Sequence, residues 1–176
     1  QKLMARVPGG LALAVVIMGT ILAAATGIIG ASVVMLTVMA LPTMLKRGYS
    51  AELASGTIVS AGTLGILIPP SVMLVFMGDI LTINLAKLFV AALIPGLTLA
   101  LAYMIYILIA ATLRPSIAPS LPPLSSVERK GMWRETTLSF ALPLILIISV
   151  LGSILGGIAT PTEAAGVGAF GALFLG

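Results

Sequence analysis

The sequence reads as an all-α fold: a polytopic membrane helix bundle containing a re-entrant hairpin and a broken transmembrane helix. Three observations point there. Apolar residues make up 60% of the 176 and charged residues 8%, with a mean hydropathy of +1.24. Soluble domains carry about 25% charged residues, so a soluble fold of this composition would lack the polar side chains to cover itself. Lys and Arg fall in short groups at the ends of apolar runs, as a membrane topology signal places them, and not in an aromatic-interleaved patch suited to nucleic acid. The third observation is the stretch 56–79, GTIVSAGTLGILIPPSVMLVFMGD. A simple spanning helix would be uniform there, yet glycines, hydroxyls and a Pro69-Pro70 pair interrupt it. A bilayer core cannot satisfy freed N–H and C=O groups, so a break at that depth must be buried in protein or line a polar cavity.

Taken in order, residues 1–47 contain an apolar, small-residue run from Gly9 to Ala25, an interruption at Thr26 to Ser32 (TGIIGAS), and a second run to Leu45. A spanning helix needs about 20 apolar residues; the whole is too long for one span and slightly short for two. Two readings compete: two full helices joined by a tight turn, or two half-length helices that enter and leave on the same side. Lys2 and Arg6 flank the start and Lys46 and Arg47 the end, with no charge at the interruption. The absence of a longer polar turn favours the re-entrant hairpin. Gly27 and Gly30 suit its tip, where close backbone approach and positive φ are expected.

Gly48-Tyr49-Ser50 reads as a short polar turn, followed by the broken span at 51–78. Asp79 and Asn84 mark its outer end. Residues 85–113 form a long span with an expected kink at Pro95-Gly96, long enough to cross with tilt. Residues 114–135 (RPSIAPSLPPLSSVERKGMWRE) are the clearly aqueous segment. Their net positive charge places them in the cytoplasm, with Trp133 at the interface. Residues 139–158 are the next span. Thr160 or Thr162 then caps a helix whose first turn holds Glu163, a favourable position on the helix dipole. The topology closes as hairpin from inside, broken span out, span in, basic loop inside, span out, TPTEAA outside. The chain starts at Gln1 and stops at Gly176 within an apolar run, and both ends read as cuts in a longer membrane protein.

Chemistry is restricted by what is missing. Without Cys or His there is no disulfide, thiolate ligand or cysteine nucleophile, and the commonest general base is absent. The five carboxylates lie mostly in loops, so an enzyme is not expected, and no organic cofactor is called for. Asp79 and Glu163 fit helix-end roles better than buried functional ones. The Met residues read as lipid-facing or packing fillers. The stronger candidate is a cation site made by two breaks: Thr26, Gly27, Gly30 and Ser32 in the first, and Gly62, Thr63, Gly65, Pro69, Pro70 and Ser71 in the second. Hydroxyls and the carbonyls of an unwound helix can ligate a hard cation such as Na⁺ without burying a charge, while half-helix N-termini attract an anionic substrate. Each break alone equally fits close helix packing, for which membranes favour small residues.

GTLGILIPPS at 62–71, with KRGYSAELASGTIVSA at 46–61, ALPTMLKRGY at 40–49 and ATPTEAAGVGA at 159–169, closely resembles the large membrane subunit of TRAP transporters, the DctM-type permeases. The resemblance is dispersed over most of the chain and weakest at 114–135. It implies membership of the ion-transporter superfamily, with two inverted repeats, each a re-entrant hairpin followed by a broken helix. It further implies Na⁺-coupled, elevator-like uptake of organic acids (C4-dicarboxylates, sialic acids or related carboxylates) across the bacterial or archaeal inner membrane. The implied partners are a small membrane subunit and a periplasmic substrate-binding protein. By position, Thr26 to Ser32 would be the first hairpin tip and Gly62 to Ser71 the unwound part of the next helix, together one Na⁺ site; Thr26, Ser32, Gly62, Thr63 and Gly65 would be its core. Residues 160–176 would open the second repeat. Family members often carry a serine-rich tip of the form SGSS; here Ile28 and Ile29 occupy its last two positions, so backbone carbonyls would carry more of the coordination. Two other readings stay open: a carrier of the same superfamily that works without a binding protein, and a non-transporting membrane scaffold.

Overall fold

The computed structural model describes residues 7–119, 141 and 143–175. Among them the regular structure is helical: α1 (Gly10–Thr26), α2 (Ile29–Lys46), α3 (Ala51–Leu67), α4 (Val72–Ile80), α5 (Leu85–Leu113), α6 (Pro143–Leu155) and α7 (Pro161–Leu175). Among the described residues, three stretches are long and apolar enough to cross a membrane, Ile29–Lys46, Ala51–Ile80 and Leu85–Leu113. The all-α membrane bundle read from composition is what the chain forms. Most of the aqueous segment at 114–135, with Trp133, and the start of the span at 139–158 lie outside the described residues.

Three helices of nearly equal length build the centre. α1 has 17 residues, α2 18 and α3 17, about 25 Å each at 1.5 Å per residue. Their contacts set the directions. Gly19 of α1 packs on Ala61 of α3, where an added Cβ would lie 2.6 Å from the Ala61 Cβ. Gly62 of α3 packs as closely on Val33 of α2. Leu11, Val16, Leu36, Met44, Ile58 and Ile107 then fill one buried cluster joining α1, α2, α3 and α5. α1 and α3 thus run parallel with α2 antiparallel between them in sequence. Without a hydrophobic drive between helices in lipid, the small residues do this work by letting backbones approach.

The turn at 47–50 is less polar than its composition suggests. Ser50 caps α3 by accepting the Leu53 N–H at 3.2 Å, as an N-cap serine should. Tyr49, however, is buried, and its hydroxyl accepts the Leu11 N–H at 3.2 Å. A tyrosine thus satisfies one of the first N–H groups of α1, which have no partner within their own helix. Burial pushes the phenol above its ordinary value, with the N–H groups of Leu11 and Ala12 acting in the opposite direction.

α5 runs through Pro95 as one helix of 29 residues. Gly96 meets the end of α3, where a Cβ would come within 3.1 Å of both the Leu67 carbonyl and the Ile68 side chain. At the far end of α5 the Ser50 N–H donates to the Ile117 carbonyl at 3.0 Å, tying the α2–α3 turn to the segment after α5. Phe89, Ile154 and Ala164 join α5, α6 and α7 in a smaller cluster. The other faces of α2 and α5 are apolar and exposed, including Val34, Val38, Ile94 and Leu101, as spans require. The methionines divide as expected: Met44 is fully buried, while Met35, Met39, Met73 and Met77 are exposed.

Candidate functional site

The two sequence breaks meet. Gly27, between α1 and α2, has φ +62° and is buried. A Cβ there would come within 3.1 Å of the Val72 N, 3.3 Å of the Pro70 carbonyl and 3.4 Å of the Ser71 Cα. Both the left-handed φ and the contact with main chain call for glycine. The tip of the α1–α2 pair therefore abuts the backbone of the α3–α4 break.

Within the first break, Thr26 is the last residue of α1 and Ser32 lies in the first turn of α2, fully buried. Their hydroxyl oxygens are 2.6 Å apart. Thr26 Oγ1 also donates to the Leu22 carbonyl and Ser32 Oγ to the Ile28 carbonyl, each at 3.0 Å. Ile28 occupies the N-cap position and offers no side-chain cap. Gly30 departs from expectation. It sits in the regular first turn of α2, exposed, with nothing within 4 Å of an added Cβ. Of the two tip glycines, only Gly27 has the positive φ and the close approach.

The second break is narrower than Gly62 to Ser71. Gly62, Thr63 and Gly65 all lie within regular α3, which continues to Leu67. Gly62 and Gly65 are buried packing positions, and Thr63 Oγ1 donates to the Ser60 carbonyl at 2.8 Å. The interruption is 68–71, because proline supplies no N–H and excludes the preceding residue from helix; the Pro69-Pro70 peptide is cis. Pro69 and Ser71 are fully buried. Ser71 takes the N-cap position of α4 without making a cap bond, and its buried hydroxyl has no hydrogen-bond partner. Buried hydroxyls are ordinarily paired, so an orphan beside Gly27 marks a place where a ligand oxygen-seeker would be satisfied.

Chemically the arrangement is a largely buried junction of hydroxyls and main-chain groups. No cluster of acidic or imidazole ligands for a transition metal occurs among the described residues. Asp79 and Glu163 lie elsewhere, on an open cavity of about 1050 Å³ between the α4–α5 and α6–α7 turns. Glu163 completes a reciprocal cap at the start of α7: its carboxylate accepts the Thr160 N–H and hydroxyl at 2.8 Å each, and Thr160 Oγ1 accepts the Glu163 N–H at 3.4 Å. These Thr160 donors, the N–H foremost, hold the Glu163 carboxyl below the usual carboxylate range. Sequence reasoning missed Thr57, a second buried hydroxyl without a partner; one threonine inside a helical apolar run carries no signal of it.

The family model for the tripartite ATP-independent periplasmic transporter, DctM component, matches residues 1–176, the whole chain. The chain belongs to that family. This DctM-family chain is 38% identical over 167 residues to the C4-dicarboxylate TRAP transporter large permease protein of Vibrio cholerae, covering 95% of the chain and 36% of the relative. It is 35% identical over 159 residues to the ectoine TRAP transporter large permease protein of Halomonas elongata, covering 90% and 36%. It is 33% identical over 176 residues to the isethionate TRAP transporter permease protein of Oleidesulfovibrio alaskensis, covering 100% and 27%. The DctM-family chain thus spans little more than a third of the length of its large-permease relatives, all of which are named as transporter permeases and none as an enzyme. The resemblance carried by GTLGILIPPS and ATPTEAAGVGA holds along the whole sequence.

Proposed function

We propose that this chain is the first-repeat part of a TRAP large permease subunit that imports organic acids with Na⁺, and that the junction of the two breaks is its first coupling-ion site. The observation that carries the reading is the packing of Gly27 onto Pro70, Ser71 and Val72. It brings the Thr26–Ser32 hydroxyl pair beside a backbone break and an orphan serine hydroxyl. Oxygen ligands without charge suit a hard monovalent cation, which several hydroxyl and carbonyl dipoles can hold at membrane depth. Thr26 and Ser32 share two hydroxyl protons among the Leu22 and Ile28 carbonyls and each other. With both protons turned to the carbonyls, both oxygens present lone pairs to an ion.

The geometry also supports the re-entrant assignment. α1 and α2 both stop at the α3–α4 break, and α4 continues for nine more residues beyond it. If Ala51–Ile80 crosses the bilayer, the hairpin tip lies about 13 Å short of the far surface. Lys46, Arg47 and Arg114 share the opposite end, the cytoplasmic one by the positive-inside rule, in an inner-membrane protein. The substrate class follows the C4-dicarboxylate name of the Vibrio cholerae relative, and the names of the ectoine and isethionate relatives widen the panel to test. A small membrane subunit and a periplasmic binding protein complete the transporter, which moves its site by an elevator motion.

The test is uptake of labelled organic acids into proteoliposomes holding the full-length permease and its small subunit, with and without a Na⁺ gradient and the binding protein. Uptake requiring both establishes the reading. Uptake requiring Na⁺ alone identifies a carrier that needs no binding protein. Gly65→Leu, which places a large side chain at a buried position of α3, is expected to abolish Na⁺-dependent uptake while leaving insertion intact.

A further inference from the structure

A second cavity, of about 440 Å³, lies between the first half of α3 and the last turns of α5. It shares no lining residue with the junction of the breaks. Its mouth holds Glu52 and Arg114, both exposed and not paired with each other. The lining also includes Ser50, Tyr103 and Tyr106, and Thr57, which is buried. Tyr103 and Arg114 are about 16 Å apart along the helix axis, so the cavity is a groove running from the end of two spans into the bundle. The bond from Ser50 to Ile117 places both walls of the mouth at the same membrane face, and Lys46, Arg47 and Arg114 make that face the cytoplasmic one.

We propose that this groove binds the headgroup and glycerol of an inner-leaflet phospholipid bearing a primary ammonium, a phosphatidylethanolamine. The sidedness of the proposal rests on the topology above; its chemistry rests on the groove. Arg114 offers a planar fork of donors that matches phosphate. Glu52 accepts from the ammonium and disfavours a headgroup with net negative charge. A lone cation in the lining would select anionic lipid, whereas an unpaired cation and anion lining one groove select a zwitterion. Tyr103 and Tyr106, three residues apart and so on one helix face, line the groove about 16 and 12 Å from Arg114 along the axis, where their rings pack on the acyl chains of the seated lipid. Thr57 lines the same groove, and its hydroxyl is buried without a partner. Rotation about χ1, which threonine tolerates in a helix, exchanges hydroxyl for methyl and turns the donor toward the groove.

The experiment is native mass spectrometry of the full-length permease with its small subunit, purified from nanodiscs holding equal parts phosphatidylethanolamine, phosphatidylglycerol and phosphatidylcholine. The wild type is expected to retain phosphatidylethanolamine preferentially, because the quaternary ammonium of phosphatidylcholine has no N–H to donate. Arg114→Ala is expected to lower retention about tenfold or more, the effect of losing hydrogen bonds to a charged group. Glu52→Gln is expected to shift the preference to phosphatidylglycerol. Equal retention of the three lipids by the wild type overturns the proposal, as does unchanged selectivity in both variants with unaltered thermal stability. Displacement of the lipid by succinate also overturns it, and would make the groove a substrate passage. The readout needs neither Na⁺ nor uptake, so its failure and that of the transport reading are separable.

Discussion

Gly27 and Gly30 are three residues apart and had the same standing in the sequence, yet only one is constrained. Gly27 combines φ +62° with main-chain contact across the two breaks, whereas Gly30 faces open space. Composition cannot separate them, because the difference arises from Pro70 to Val72, more than forty residues away in the chain. Gly27→Ala therefore forces an L-residue into the left-handed region, at about 1–2 kcal/mol, and pushes the breaks apart. Uptake by the full permease should fall by at least tenfold for Gly27→Ala and stay near wild type for Gly30→Ala. Comparable losses in both would sink the tip assignment. Ser71 offers a sharper contrast. Removing an orphan buried hydroxyl takes away an unsatisfied group, so Ser71→Ala should leave thermal stability equal or raise it by about 1 kcal/mol. Na⁺-dependent uptake should nonetheless weaken, visible as a higher half-saturating Na⁺ concentration; a stable variant with unchanged Na⁺ dependence would make Ser71 a packing residue.

Among the elements, the apolar runs and the proline pair were legible because periodicity and missing N–H groups act locally. The extent of the second break was not. Gly62 and Gly65 look like helix breakers in a string of letters, but α3 absorbs them because α2 needs the space that Gly62 leaves. Tyr49 was hidden for the opposite reason: between Gly48 and Ser50 it reads as turn, although it caps α1 from 38 residues away. Tyr49→Phe leaves the buried Leu11 N–H without its partner and should destabilise the full permease by about 1–3 kcal/mol, measured as a lower melting temperature with its fold retained. The Thr160–Glu163 cap was legible from spacing, since Ser/Thr followed three residues later by Glu is the capping-box pattern. Its carboxyl pKa is lowered in the folded state, so its contribution is present above the ordinary carboxylate value and is lost as pH falls through the lowered one. Amide exchange at Thr162 to Ala164, corrected for intrinsic rates, should accordingly accelerate in acid and in Glu163→Ala, and change least in Glu163→Gln.

At the scale of the whole molecule, one hairpin and one break make half of the arrangement that the family resemblance implies. The chain expressed alone should insert into membranes and show no Na⁺-dependent uptake; uptake by these 176 residues would mean that a single repeat suffices. The lateral groove belongs to this scale too, because its two walls come from residues more than forty positions apart, a separation that hides it from any reading of local pattern. The tie from Ser50 N–H to the Ile117 carbonyl is made entirely by main chain. The backbone on the two sides of the groove's entrance is consequently tied without recourse to the Glu52 or Arg114 side chain. Exchanging Glu52 or Arg114 is therefore expected to change which lipid is welcomed there while the backbone frame of the doorway stays in place.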